Sequence, residues 1–149
     1  FMWFSGRIMY ASFSLLLGFS IIGCTGNRPT ELGLKDGYLR PCPSSPNCVN
    51  SMGNEDETHR IEPFRGVSLA ELRELLQNEE RVEIVTDHEN YLHAEFTSLI
   101  MRFVDDVEFF SVAEEQVIHV RSASRLGRSD LGANRRRVEG LRTKLLGGK

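Results

Sequence analysis

Between residues 81 and 124 apolar side chains recur at every second position, whereas on both sides of that stretch they recur at three and four. A period of two belongs to strands and the longer period to helices, so the chain is confined to a sheet bracketed by helices. In Tyr91-Leu92-His93-Ala94-Glu95-Phe96-Thr97-Ser98, the residues Leu92, Ala94 and Phe96 point one way and His93, Glu95 and Thr97 the other. Residues 82–86 precede this strand, and 101–112 and 116–124 follow it. The turns at 87–90 and 113–115 are short enough to require antiparallel hairpins. Asp105-Asp106 interrupts the third strand and is expected to mark a bulge. Ahead of the strands, Ser68 and Glu71 form a capping box in front of Leu69, Leu72, Leu75 and Leu76, which predicts a helix over residues 69–78. Behind them, Asp130 is placed to cap a last helix whose apolar stripe is Leu131, Val138, Leu141 and Leu145. The expected fold class is α+β: two layers, with a four-stranded antiparallel sheet packed by two amphipathic helices in the order α-β-β-β-β-α.

The N-terminal region reads as an export signal. Residues 8–23 carry no charge, Arg7 stands ahead of them, and the run ends Ile21-Ile22-Gly23-Cys24. A charged start, an apolar run and a small residue before the cut are the marks of such a signal, and a cysteine directly after it is the thiol that lipoprotein processing acylates. An uncleaved anchor or a plain signal peptide is the competing reading. Against the anchor, the run is shorter than the roughly 20 residues of a spanning helix, and Ser12, Ser14, Gly18 and Ser20 dilute it. Met2 and Met9 are both candidate starts, the second of which would remove Arg7. The expected division is 1–23 signal peptide, 24–36 lipid-anchored tether, containing Gly26, Asn27, Pro29 and Gly33, and 37–149 a single α+β domain. The protein is then attached to the membrane through the Cys24 lipid anchor, in the cell envelope and facing the periplasm. Thr25 rather than Asp after that cysteine favours the outer membrane, in a host that has two.

Cys42 and Cys48 close a loop of seven residues counting both ends, in Arg40-Pro41-Cys42-Pro43-Ser44-Ser45-Pro46-Asn47-Cys48. Thiols outside the cytosol are oxidised, so the two are expected to pair, contributing about 2 kcal/mol in the chain-entropy model. Zinc, with His59 as a third ligand, is the alternative, although no fourth ligand stands at a standard spacing. No metal or other cofactor is expected. The formal net charge is −3, but residues 54–116 hold 5 Arg against 17 Asp and Glu, whereas residues 117–149 hold 9 Lys and Arg against 2 acids. Either the basic end pairs with the acidic sheet of its own fold, or it forms a basic binding surface.

Four stretches together carry a resemblance. They are Arg40 to Val49, Tyr91 to Phe96, Arg102-Phe103-Val104-Asp105-Asp106-Val107-Glu108-Phe109, and the basic run from Arg121-Ser122-Ala123-Ser124-Arg125 to Ser129-Asp130-Leu131-Gly132-Ala133-Asn134-Arg135-Arg136-Arg137. With these the chain resembles the bacterial lipoprotein family called domain of unknown function 1499, over residues 37–145. The resemblance implies a compact single domain, often exported or membrane-attached, without an established activity or assigned catalytic residues.

The basic run passes from a strand end through a loop into a helix start, a place where free N–H groups and forked arginines receive a phosphate or carboxylate. Arg121, Arg125, Ser129, Asn134 and Arg135 are the candidate anion-binding residues. The partner would be an anionic ligand, such as a lipid head group or cell-wall fragment, or an acidic protein. The competing reading is a structural knot in which Asp130 satisfies the same donors internally. An enzyme reading, hydrolase-like, rests on Asp56 with His59, or on His93, Glu95 and His119. No nucleophile motif accompanies these residues. Nucleic acid as a partner of Arg135-Arg136-Arg137 is set aside because the chain is read as exported.

Overall fold

The structure, a computed structural model, describes residues 26–147. The expected signal peptide and the Cys24 anchor lie outside the described residues. In chain order the elements are β1 (Cys48–Asn50), β2 (Phe64–Arg65), α1 (Leu69–Gln77), β3 (Val82–Asp87), β4 (Tyr91–Thr97), β5 (Val104–Val112), β6 (Val117–Ser124) and α2 (Ala133–Gly147). The class is α+β with two helices, as expected, but the sheet has six strands rather than four. β3 to β6 form the expected antiparallel meander. β1 and β2 are added on the outer edge of β6, with Val49 opposite Ser122 and Phe64 opposite Ile118. Strands of two and three residues are too short to show a period.

α1 starts where the sequence placed it. Ser68 accepts from the Glu71 N–H while Glu71 accepts from the Ser68 N–H, a reciprocal capping box, and Asn78 closes the other end. Leu69, Leu72 and Leu76 are buried. They meet Leu92 and Ala94 of β4, Val107 and Phe109 of β5, Ile118 and Val120 of β6, and Val138 and Leu141 of α2 in one core. Each of these larger side chains contributes about 2 kcal/mol by leaving water.

Two further expectations are corrected. The third strand has no bulge at Asp105-Asp106: β5 pairs continuously on both sides, with Phe96 opposite Asp105 and Asp106 opposite Ala123. The irregularity lies between Ile84 and Thr86 in β3 instead. Both aspartates stay in register because each meets an arginine, Asp105 with Arg137 and Asp106 with Arg125. Leu131 does not join the α2 stripe, since it is 85 % exposed and stands before the helix at φ +53. Asn134 takes the inward position, followed by Val138 and Leu141. Its side chain is retained in the interior by hydrogen bonds to Ser122, Ser124 and the Asn47 carbonyl.

Opposite the helices, the sheet is covered by residues 26–45. Arg28 pairs with Glu95, the Gly33 N–H donates to Glu108 at 2.7 Å, and Leu39 packs with Met52 and Tyr91. The segment expected as a tether therefore lies, from Gly26 onward, as a strap across the sheet. The expected disulfide is present: Cys42 and Cys48 are bonded, Cα to Cα 5.7 Å, and join the end of the strap to β1.

Candidate functional site

The period of two that sends Val107 and Phe109 toward the helices sends Asp106 and Glu108 toward the strap. The same alternation brings up His93 and Glu95 from β4 and Arg121 from β6. Register then decides who meets whom. Glu108 stands opposite Arg121, and Glu95 opposite Asp106. Arg125, just past the end of β6, reaches back to both.

Two hydrogen-bonded groups result. In the first, Arg125 holds Asp106 with two parallel bonds of 2.7 Å, His93 Nε2 meets the same carboxylate at 2.8 Å, and Glu95 is shared by Arg125 and Arg28. Burial disfavours the charged form of Asp106, yet the bonds from Arg125 and His93 outweigh it and hold the carboxyl below its usual range. Glu95 follows the same logic, with Arg28 and Arg125 overcoming its burial. Arg125 is in turn raised, foremost by Asp106. In the second group, Glu108 accepts from the Tyr91 hydroxyl at 2.8 Å, the Gly33 N–H at 2.7 Å and Arg121 Nη1 at 3.2 Å. Burial first, and the Glu108 charge next, push the Tyr91 hydroxyl up, so it remains a donor.

Between the strap and this face lies a cleft of about 980 Å³, lined by Tyr38 and Arg40 from the strap and by Asn47, Arg121, Ser124 and Arg125 below. Its two arginines of interest are Arg40 and Arg121. The Nε of each is buried and has no hydrogen-bond partner among the described residues. Among those residues Arg121 donates to Glu108, and the carboxylate beside Arg40 is that of Glu31, at 3.8 Å. A buried donor left without a partner costs on the order of 1–3 kcal/mol. These two guanidiniums therefore have donors to spare, as does the exposed Lys35 at the rim of the cleft, whereas the donors of Arg125 are directed at two carboxylates.

The structure separates the residues that the sequence grouped. Arg121 and Arg125 reach the cleft together. Ser129, Asn134 and Arg135 do not: the Ser129 hydroxyl accepts from the Leu131 N–H, Asn134 is fully buried, and Arg135 donates to the Thr58 and Arg60 carbonyls. Asp130 accepts from the Gly132 and Asn134 N–H groups, which occupies the α2 N-terminus internally. Those bonds outweigh its partial burial and lower its carboxyl. The basic end of the chain pairs with the acidic part of the fold, through Arg121–Glu108, Arg125–Asp106, Arg137–Asp105 and Lys144–Glu79.

Asp56 and His59 do meet, at 2.9 Å, but His59 Nε2 also faces the Ser45 carbonyl at 3.2 Å, so neither ring nitrogen is free to act as a base. His93 and Glu95 lie near each other. His119 is on β6, separated from β4 by β5, and contacts Ser51 and Glu115. Ligand atoms of His93, Glu95 and Asp106 fall within 4.8 Å of one another, a spacing a metal ion could use. The guanidinium of Arg125 already occupies both carboxylates, and a divalent cation would stand against it.

Arg40, Tyr91, Asp106 and Glu108 were not singled out from the sequence as site residues, Asp106 being read there only as part of a bulge. The available signal was the acidic triplet in an otherwise apolar strand, Asp105, Asp106 and Glu108, facing a chain end of opposite charge. No curated protein and no solved structure matches the chain. The family described as Protein of unknown function (DUF1499) matches residues 38–145, from the strap through β6 into α2. The chain belongs to that family.

Proposed function

We propose that the protein is an exported, lipid-anchored binding module of the cell envelope whose cleft takes a small anionic ligand between Arg40 and Arg121. The observation that carries this reading is that Arg40 and Arg121 both line the cleft and that each has a buried Nε without a hydrogen-bond partner among the described residues. A planar guanidinium with a free edge receives a phosphate or carboxylate by paired hydrogen bonds. The ligand's charge would offset Arg40, which has only a distant carboxylate beside it. Support for export comes from the apolar run ending at Cys24 and from the Cys42–Cys48 bond, which belongs in an oxidising compartment. Thr25 after Cys24 supports the outer membrane over the inner in a host with two. Among the described residues no helix is long and apolar enough to cross a membrane.

Thermal unfolding in rising inorganic phosphate, and separately in acetate, tests the cleft. At 100 times its dissociation constant a ligand adds about 2.7 kcal/mol to stability, a readily measured upward shift. Arg121→Gln should lose that shift, measured against its own melting temperature in the absence of the anion, since the loss of the Glu108 contact lowers that baseline. A shift that survives in both Arg121→Gln and Arg40→Gln would place the anion elsewhere. Intact mass of the protein from its native membrane, against Cys24→Ala, tests the anchor: removal of residues 1–23 and gain of lipid are expected.

A further inference from the structure

Exposed apolar side chains gather at one end of the sheet. The turn between β4 and β5 presents Leu99, Ile100 and Met101 at 68, 82 and 57 % exposure. β5 begins at Val104, whose carbonyl accepts from the Arg125 N–H, so this hairpin tip adjoins the loop leaving β6. That loop exposes Leu126.

The chain also enters here. Gly26, the first described residue, packs against the same loop: a Cβ built on it would stand 3.1 Å from both Leu126 Cγ and Arg125 Cβ, and its φ is +66. A side chain at this position would be strained at that backbone angle and would crowd Leu126 and Arg125, which glycine avoids. The 25 residues before it include the uncharged run 8–23 and Cys24, so whatever holds that segment to a membrane holds this end of the domain within a few residues of it.

Charge that is left unpaired distinguishes this end from the other: Glu79 and Glu80, which lie beside Thr97 and Ser98, are paired with Lys144 and Arg81. Arg102, in the hairpin tip, and Arg128, in the β6 loop, make no ion pair among the described residues. The far end carries the β3–β4 turn with Glu89 and the β5–β6 turn with Glu114 and Glu115. Apolar side chains flanked by cations partition into the interface of a bilayer bearing anionic lipids, and acidic turns are repelled by it.

We propose that the β4–β5 hairpin tip and the Leu126 loop form a membrane seat: Leu99, Ile100 and Met101 enter the interfacial layer, and Arg102 and Arg128 meet anionic head groups. This rests on the lipid-anchor reading above for the membrane, but not on the anion-binding cleft. A docked hairpin fixes the orientation of the domain, with the sheet end toward the lipid, rather than leaving it to swing on its anchor.

The test uses the protein extracted from its native membrane and reconstituted in vesicles of phosphatidylethanolamine and phosphatidylglycerol whose acyl chains are brominated. Trp3, the single tryptophan, lies in the segment removed with the signal peptide and is replaced by Trp3→Phe so that uncleaved chains stay silent; a new one is placed by Ile100→Trp or, as the control at the far end, Glu114→Trp. Both positions are exposed, so unchanged melting temperatures are expected and verify the fold. An interfacial depth of about 5–10 Å predicts roughly twofold quenching at position 100 and almost none at 114. Arg102→Gln with Arg128→Gln should weaken the quenching at 100 in these vesicles. Equal quenching at both positions, or none at 100 while the protein still floats with the vesicles, overturns the seat and leaves the anchor standing. Failure to float overturns both. Protection of position 100 from aqueous iodide in native membranes, without bromolipid quenching, would assign the tip to a protein partner and overturn the bilayer as its occupant.

Discussion

Within β5, Val107 and Phe109 are fully buried among leucines and valines, while their neighbours Asp106 and Glu108, one residue along, are 1 % exposed among arginines. One face of the sheet is closed by helices and the other by an extended strap, and the two differ in how they fail. Apolar packing degrades gradually as atoms are removed. A buried ion group fails abruptly when one partner goes, because the charge that remains cannot be hydrated.

The largest effect is expected on the helix face. Phe109→Ala removes a fully buried ring and should cost about 3–5 kcal/mol, read as a lower urea midpoint at unchanged slope. Next comes Arg125→Ala, which leaves Asp106 and Glu95 without their shared cation and should cost about 3 kcal/mol. Replacing the charges together, by Arg125→Met with Asp106→Leu and Glu95→Met, should restore part of that loss. If Arg125→Ala alone is neutral, the polar face is not held by its charges and the contrast between the faces collapses.

Acid separates the faces further. Asp106 and Glu95 have folded values below the usual carboxylate range, so their contribution is present above the unfolded value of about 4 and is lost as pH falls through the lower folded values. The urea midpoint should fall steeply below about pH 4 in the wild type. It should fall less steeply in Asp106→Asn with Glu95→Gln, and as in the wild type in Phe109→Ala.

Smaller effects belong to the strap. Cys42→Ser with Cys48→Ser should cost about 2 kcal/mol, and should raise hydrogen exchange at the Gly33 N–H, which caps Glu108, more than at the Val107 N–H. Arg121→Gln leaves the buried Glu108 carboxylate with only Tyr91 and Gly33 as donors and should cost about 1–2 kcal/mol. Its distinguishing consequence is expected in anion binding.

The helix face was legible in the sequence, because burial against a helix imposes a repeating pattern on neighbouring residues. Leu72 and Leu76 in α1 and Leu92, Ala94 and Phe96 in β4 all took their expected positions. Leu131 misled, since an apolar residue at helical spacing carries no mark of the φ +53 that puts it before α2. Asp105-Asp106 misled for the opposite reason: two acids in a strand look like a break until their arginines are found 32 and 19 positions away.

By itself the sequence determined the class, the antiparallel meander, the α1 cap, the pairing of Cys42 with Cys48, and an acidic middle opposed to a basic end. These follow from periodicity and local hydrogen bonding, which operate within a few residues. Only the tertiary structure decided that Arg125 is consumed by Asp106 and Glu95 while Arg121 and Arg40 each keep an Nε without a partner among the described residues. It alone laid Gly33 over Glu108, 75 residues away, and brought Gly26 to the loop at Leu126. Such pairings depend on strand register and on the path of a strap without a repeat, and neither leaves a trace in local spacing.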